Sequence, residues 1–186
     1  MKATSLKWIS LLVITANLVS CASAPTPTAI PTATAIPQPA TFTDAFAYCQ
    51  AVGTIDAPDA RYTGDKVPVS VAKGLQKAMG LAPDMPMDIL TRNSFWRCMS
   101  GKVYGCSVGA NIPCQGKADA SKTPNEGMTA FCKDNPNSDF IPAASTGRET
   151  VYAWKCVSGK PQVDKQVLNP DARGFITEFW YALSAN

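Results

Sequence analysis

The sequence predicts the α+β class: a small domain stapled by disulfides and built from two degenerate helix-plus-hairpin repeats with an antiparallel sheet. Six cysteines fall within residues 41–186, at Cys49, Cys98, Cys106, Cys114, Cys132 and Cys156, and an even number in an exported domain implies three bonds. Two sequence blocks recur in the same order. Ala47-Tyr48-Cys49-Gln50 is echoed by Ala130-Phe131-Cys132-Lys133, and Trp96-Arg97-Cys98-Met99-Ser100-Gly101-Lys102 by Trp154-Lys155-Cys156-Val157-Ser158-Gly159-Lys160. In each copy a helical apolar spacing precedes a strand-like alternation.

The chain starts with Lys2 and Lys7 beside a twelve-residue, mostly apolar stretch, Trp8 to Val19. That is the pattern of an export signal and is too short for a relaxed membrane-spanning helix. Leu18-Val19-Ser20-Cys21 resembles the lipobox of bacterial lipoproteins. The resemblance covers the first twenty-one residues and implies cleavage before Cys21, with lipid attached to its thiol. The competing site after Ala22-Ser23-Ala24 is followed by Pro25, a poor residue to follow a scissile bond. Residues 22–40 hold five prolines, four threonines, six alanines and no charge. Such a run cannot bury a core and favours extended polyproline II, so it reads as a tether reaching up to about 60 Å. The expected organisation is a signal at 1–20, an anchor and linker at 21–40, and a single extracytoplasmic domain at 41–186. Its half-repeats lie at roughly 41–118 and 119–186.

Within the domain, Phe42, Ala45, Phe46, Cys49 and Val52 recur at helical spacing and Gly53 stops the run. Thr41 with Asp44 reads as a weak capping box, and Thr123-Pro124 with Glu126 as a stronger one for the second helix. Val71, Ala72, Leu75, Ala78 and Met79 predict a further helix ended by Gly80, in about twenty-five residues that only the first half carries. Pro83 to Pro86 reads as loop. Ser100-Gly101 and Ser158-Gly159 sit at hairpin turns. Alternation puts Trp96 with Cys98, and Trp154 with Cys156, on one strand face, so these tryptophans are expected to pack on the disulfides. The run from Phe175 to Leu183 leans towards strand on its aromatic and β-branched content.

Six cysteines allow fifteen pairings, and the repeat selects among them. If each unit staples its helix to its hairpin, the bonds are Cys49–Cys98 and Cys132–Cys156. Cys106–Cys114 is then a local closure.

Several motifs resemble chemistry. Gly105-Cys106-Ser107-Val108-Gly109 fits the G-x-S-x-G elbow, but the chain has no histidine to serve as base. Ser70-Val71-Ala72-Lys73 fits S-x-x-K, where lysine activates serine, and makes a small serine hydrolase the alternative from another functional class. Without histidine or a C-x-x-C pair the usual zinc frameworks are missing. Asn135, Asn137 and Asp139 alternate oxygens as a calcium loop does, yet Phe140 stands where glycine is wanted and Thr146 where glutamate is. No cofactor is expected. Pro58-Asp59-Ala60-Arg61 recurs as Pro170-Asp171-Ala172-Arg173 outside the register of the main repeat, with local pairing of each arginine as its simplest use.

Seventeen lysines and arginines face fourteen acidic residues. Two of the basic residues precede Cys21, which leaves the exported part at +1 and gives no electrostatic case for nucleic acid. The expectation is a non-catalytic lipoprotein of the cell envelope, held to a membrane on its extracytoplasmic face. It would bind an envelope protein or glycan, or serve a structural role without a specific ligand.

Overall fold

The computed structural model describes residues 40–185. The signal at 1–20, the lipidation site Cys21 and nearly all of the linker lie outside the described residues.

The first half contains α1 (Ala45–Val52), α2 (Val69–Ala78), α3 (Met87–Asn93), β1 (Ser94–Met99) and β2 (Lys102–Ser107). The second contains α4 (Glu126–Asp134), the single turn α5 (Ala143–Thr146), β3 (Tyr152–Val157) and β4 (Lys160–Gln166). A 3₁₀ turn at Thr177–Phe179 leads into the two-residue strand β5 (Tyr181–Ala182). The strands form two separate antiparallel sheets, ordered β1-β2-β5 and β3-β4.

Both hairpins turn on Ser-Gly with positive φ at each central residue, 51° and 76° in the first and 49° and 78° in the second. This is the type I′ turn, whose twist matches that of the flanking strands. Cys49 is bonded to Cys98 and Cys132 to Cys156, each tying a helix to the first strand of its hairpin, while Cys106–Cys114 closes a short loop. Each bond is worth about 2–4 kcal/mol in the chain-entropy account.

The helix starts differ from the capping boxes read above. Asp44 is itself the N-cap of α1 and accepts from the Ala47 N–H, and Asn125 caps α4 by accepting from the Met128 N–H. In each case the chain offers two side chains able to cap, and the one nearer the first helical residue does so. α3 has no counterpart in the sequence reading. It follows Pro86, whose fixed φ suits a helix start, but it is only seven residues long and buries only Leu90, too little periodicity to see. The strand tendency of 175–183 is realised only at Tyr181–Ala182.

Three apolar clusters hold the domain. The first joins Tyr48, Cys49, Val71, Leu75, Trp96, Cys98, Val103 and Leu183 on one face of the β1–β2 hairpin. Tyr48, Tyr62 and Trp96 meet edge to face there, with Tyr62 and Trp96 centroids 4.8 Å apart. Cys106, Cys114, Phe175 and Trp180 form another cluster, which takes in Phe95 and Tyr104 from the hairpin's opposite face. The remaining cluster packs Met128 and Cys132 of α4 against Trp154 and Cys156 of β3, with Ile141. Both repeat tryptophans therefore lie with their disulfides. The C-terminal segment belongs to the first half, since β5 pairs with β2 and Leu183 enters the first cluster.

Candidate binding cleft

A cleft of about 680 Å³ lies beside β1, within the range of small-ligand sites. Its floor is Ser94, Phe95 and Trp96. Tyr62, Lys66 and Val67 form one wall, Cys114, Lys117, Phe175 and Trp180 the other, and the loop Asp56–Asp59 forms one end.

The walls are separate because the sheet is covered on both faces. Trp96 faces α1 and the 62–67 loop, where its indole N–H donates to the Lys66 carbonyl at 2.8 Å. Arg97, the next residue, faces the other way and is 1% exposed. It pairs with Asp171 through a short contact, and its guanidinium carbon lies 4.3 Å from the Phe175 centroid and 4.5 Å from that of Trp180. Its Nε and Nη1 have no hydrogen-bond partner, so the rings and the single carboxylate hold the charge. Burial alone would raise the Asp171 carboxyl, but the Arg97 guanidinium and the Phe175 and Arg173 N–H groups outweigh it and hold the carboxyl below its ordinary range.

The repeated tetrapeptide behaves differently at its two sites. Arg61 closes onto Asp59 within its own turn, with Nη2 to Oδ2 at 2.6 Å. In the second copy Asp171 is taken by Arg97, so Arg173 reaches away to Asp56 at 2.9 Å. Lys117 joins Asp56 from the other wall, also at 2.9 Å, and sits 3.4 Å from the Phe175 centroid. The Arg173 hydrogen bond, opposed by partial burial and helped by Lys117, draws the Asp56 carboxyl down to about 2. Arg61 does the same for Asp59, again to about 2. Both carboxylates at the end of the cleft are therefore neutralised by cations, whereas Lys66 has no carboxylate partner among the described residues. Its Nζ lies 5.4 Å from the Phe95 ring centroid.

Two buried hydroxyls border the cleft without a hydrogen-bond partner, Ser94 Oγ and Tyr62 OH. Burial, with Asp65 and Asp44 nearby, pushes the Tyr62 phenol up to about 12, so it stays protonated as a donor.

The residues singled out by motif lie elsewhere. Ser70 and Lys73 share the rim of a recess of about 280 Å³ with Asp44 and Phe46, and no hydrogen bond joins them. Ser107 ends β2 as a half-buried residue. Gly105 has a packing reason instead, because a Cβ there would come within 2.7 Å of Leu75 and 3.0 Å of Leu183. Asn137 Oδ1 accepts from the Ser158 N–H and so supports the second hairpin turn. No group of three or more potential metal-binding His, Cys, Asp or Glu side chains occurs among the described residues.

Trp96, Trp154, Trp180, Tyr104, Tyr152 and Tyr181 are the aromatic residues whose type would suit a stacking platform for sugars or peptides, and of these only Trp96 and Trp180 line the cleft. Tyr62, Phe95 and Phe175 complete its five aromatic side chains, and these come from segments remote in sequence. No shared motif marks them: of the repeated tetrapeptide only residues of the first copy line the cleft, and the second copy reaches the same end through Arg173, which bonds Asp56. Comparison with protein-family models, with curated proteins and with solved structures gives no match for this chain.

Proposed function

We propose that this chain is a lipid-anchored, non-catalytic binding module of the cell envelope and that the cleft beside β1 holds its ligand. The observation that carries the reading is the cleft itself. Five aromatic side chains from distant segments converge on one preformed concavity, its carboxylates are internally neutralised, and Lys66 remains as its free charge. Such a site favours a ligand with an apolar body and hydrogen-bonding groups. The lipobox and the Ala/Pro/Thr tether support the location, because a tethered head domain reaches partners above a membrane.

The test uses the full chain in detergent micelles, incubated with solubilised envelope proteins and separately with insoluble cell-wall material. Saturable retention is expected from one fraction and is expected to disappear in Ala57→Trp, which plugs the cleft from an exposed position. Equal retention of Ala57→Trp and the parent chain, with matching thermal unfolding, would place the ligand elsewhere and refute the reading.

A further inference from the structure

We infer that the ligand of this cleft is an extended peptide segment that adds to the free edge of β1 at Trp96, as the chain's own segment around Ile141 adds to β3 at Trp154. The inference rests on the cleft being the binding site, and it names the class of ligand.

The argument comes from strand geometry and the internal repeat. In the first half, Cys98 exchanges both backbone hydrogen bonds with Ile55, Ile55 N–H to Cys98 O and Cys98 N–H to Ile55 O, each 3.0 Å. Backbone groups along a strand alternate between its two edges, so Trp96 and Ser94 point to the same outer edge as Cys98. β1 is the outermost strand of its sheet, and its single bridge on that edge is the one at Cys98. The edge beyond Ile55 thus has no strand partner among the described residues, and it forms the floor of the cleft.

The second half shows what fits there. The Cys156 N–H donates to Ser138 O, which makes Ser138 the counterpart of Ile55. The chain then stays beside β3, and the Ile141 N–H donates to Trp154 O at 2.8 Å. The Ile141 side chain is buried against Trp154. Three residues beyond Ile55 stands Pro58, as Ile141 stands three beyond Ser138. Proline has no N–H to donate, and the loop leaves the edge, lining the far end of the cleft instead. The same sheet edge is therefore filled by the chain's own segment in one half and left to an external segment in the other.

Strand addition also accounts for the two aromatic walls. Alternate side chains of an added strand project to opposite faces, here towards Tyr62 on one side and Phe175 on the other. Backbone bonds would supply affinity and the walls selectivity for apolar residues at every second position. Ser94 and Trp96 are only 1% and 3% exposed, so side chains cover this edge: they shield it from indiscriminate pairing, and a strand that adds there must first turn them aside.

The probe is a set of capped hexapeptides with Val, Ile, Leu or Phe at alternate positions, titrated into the isotope-labelled full chain in micelles. Saturable shifts of the Trp96 and Ser94 amide resonances are expected. N-methylation of the peptide residue opposite Trp96 is expected to weaken binding at least tenfold, and of the next residue less than threefold. That period of two belongs to edge pairing and not to side-chain capture, and it is read on the unmutated protein. If peptide-free glycan strands shift the cleft resonances and the peptides do not, the peptide assignment is wrong while the cleft reading stands. If peptides, glycans and envelope extracts all leave these resonances unmoved, both fail.

Discussion

The hairpins β1–β2 and β3–β4 carry the same seven-residue block and the same turn, yet Arg97 is 1% exposed while its counterpart Lys155 has 40% of its side chain in solvent. The first hairpin has α1 and α2 on one face and the C-terminal segment on the other; the second has α4 on one face and presents Lys155 outward. Arg97 therefore requires Asp171 and two aromatic rings, whereas Lys155 needs only a cross-strand neighbour, Asp164, at 3.0 Å. Burial, more than sequence likeness, sets how strongly each position constrains the fold.

That contrast yields its largest effect at the carboxylates. Asp171→Ala leaves a buried guanidinium uncompensated and is expected to destabilise the domain by about 3–5 kcal/mol. Asp164→Ala, which breaks an exposed pair, should cost less than about 1 kcal/mol. Urea unfolding of both variants measures the difference, and similar losses would deny the two-faced burial of the first hairpin.

A smaller effect is expected where the hairpins differ by one side chain. Gly105 and Val163 occupy matching positions, opposite Trp96 and Trp154 respectively. Leu75 of α2 fills the space over Gly105, and the second half has no such helix, so valine fits. Gly105→Ala should cost about 1–3 kcal/mol by overpacking, readable as a lower urea midpoint at unchanged slope. A neutral result would mean that α2 is loosely held.

Acid should act through Asp56, Asp59 and Asp171. The first two titrate at about 2 and the third below its ordinary range, all beneath the unfolded value of about 3.9. A lowered folded pKa stabilises fully above the unfolded pKa and is lost as pH falls through the folded one. With no histidine in the chain, the melting temperature should be flat from about pH 5 to 8 and fall between about pH 4 and 2. A decline already between pH 7 and 5, followed by circular dichroism, would contradict this. The smallest effect is expected from Asp56→Asn, less than about 1 kcal/mol in stability, since Lys117 and Arg173 are each half exposed.

Much of this fold was legible because repetition does the work of an alignment within one chain. The blocks around Cys49 and Cys132, and those around Cys98 and Cys156, mark two helix-plus-hairpin units, and their shared order relates helix to strand. Ser-Gly at both turns and glycine after α1 are local signals with local causes. The capping residues were misplaced by up to three positions because Thr41 and Asp44, or Thr123 and Asn125, both satisfy the local rule. α3 was missed because one buried residue makes no period. The cleft was hardly legible, for Tyr62, Phe95 and Phe175 occupy no common motif.

The sequence by itself determined the α+β class, the two units, their turns and the faces on which Trp96 and Trp154 lie, because these depend on residues close in the chain and on periods of two and 3.6. Only the tertiary structure decided that the halves form separate sheets, that the C-terminal segment folds back onto the first, and that Asp171 meets Arg97. It also decided that, among the described residues, the edge of β1 has no backbone partner at Trp96 where that of β3 has Ile141 at Trp154. Such outcomes depend on which distant segment packs best on a surface, and no local pattern encodes that competition.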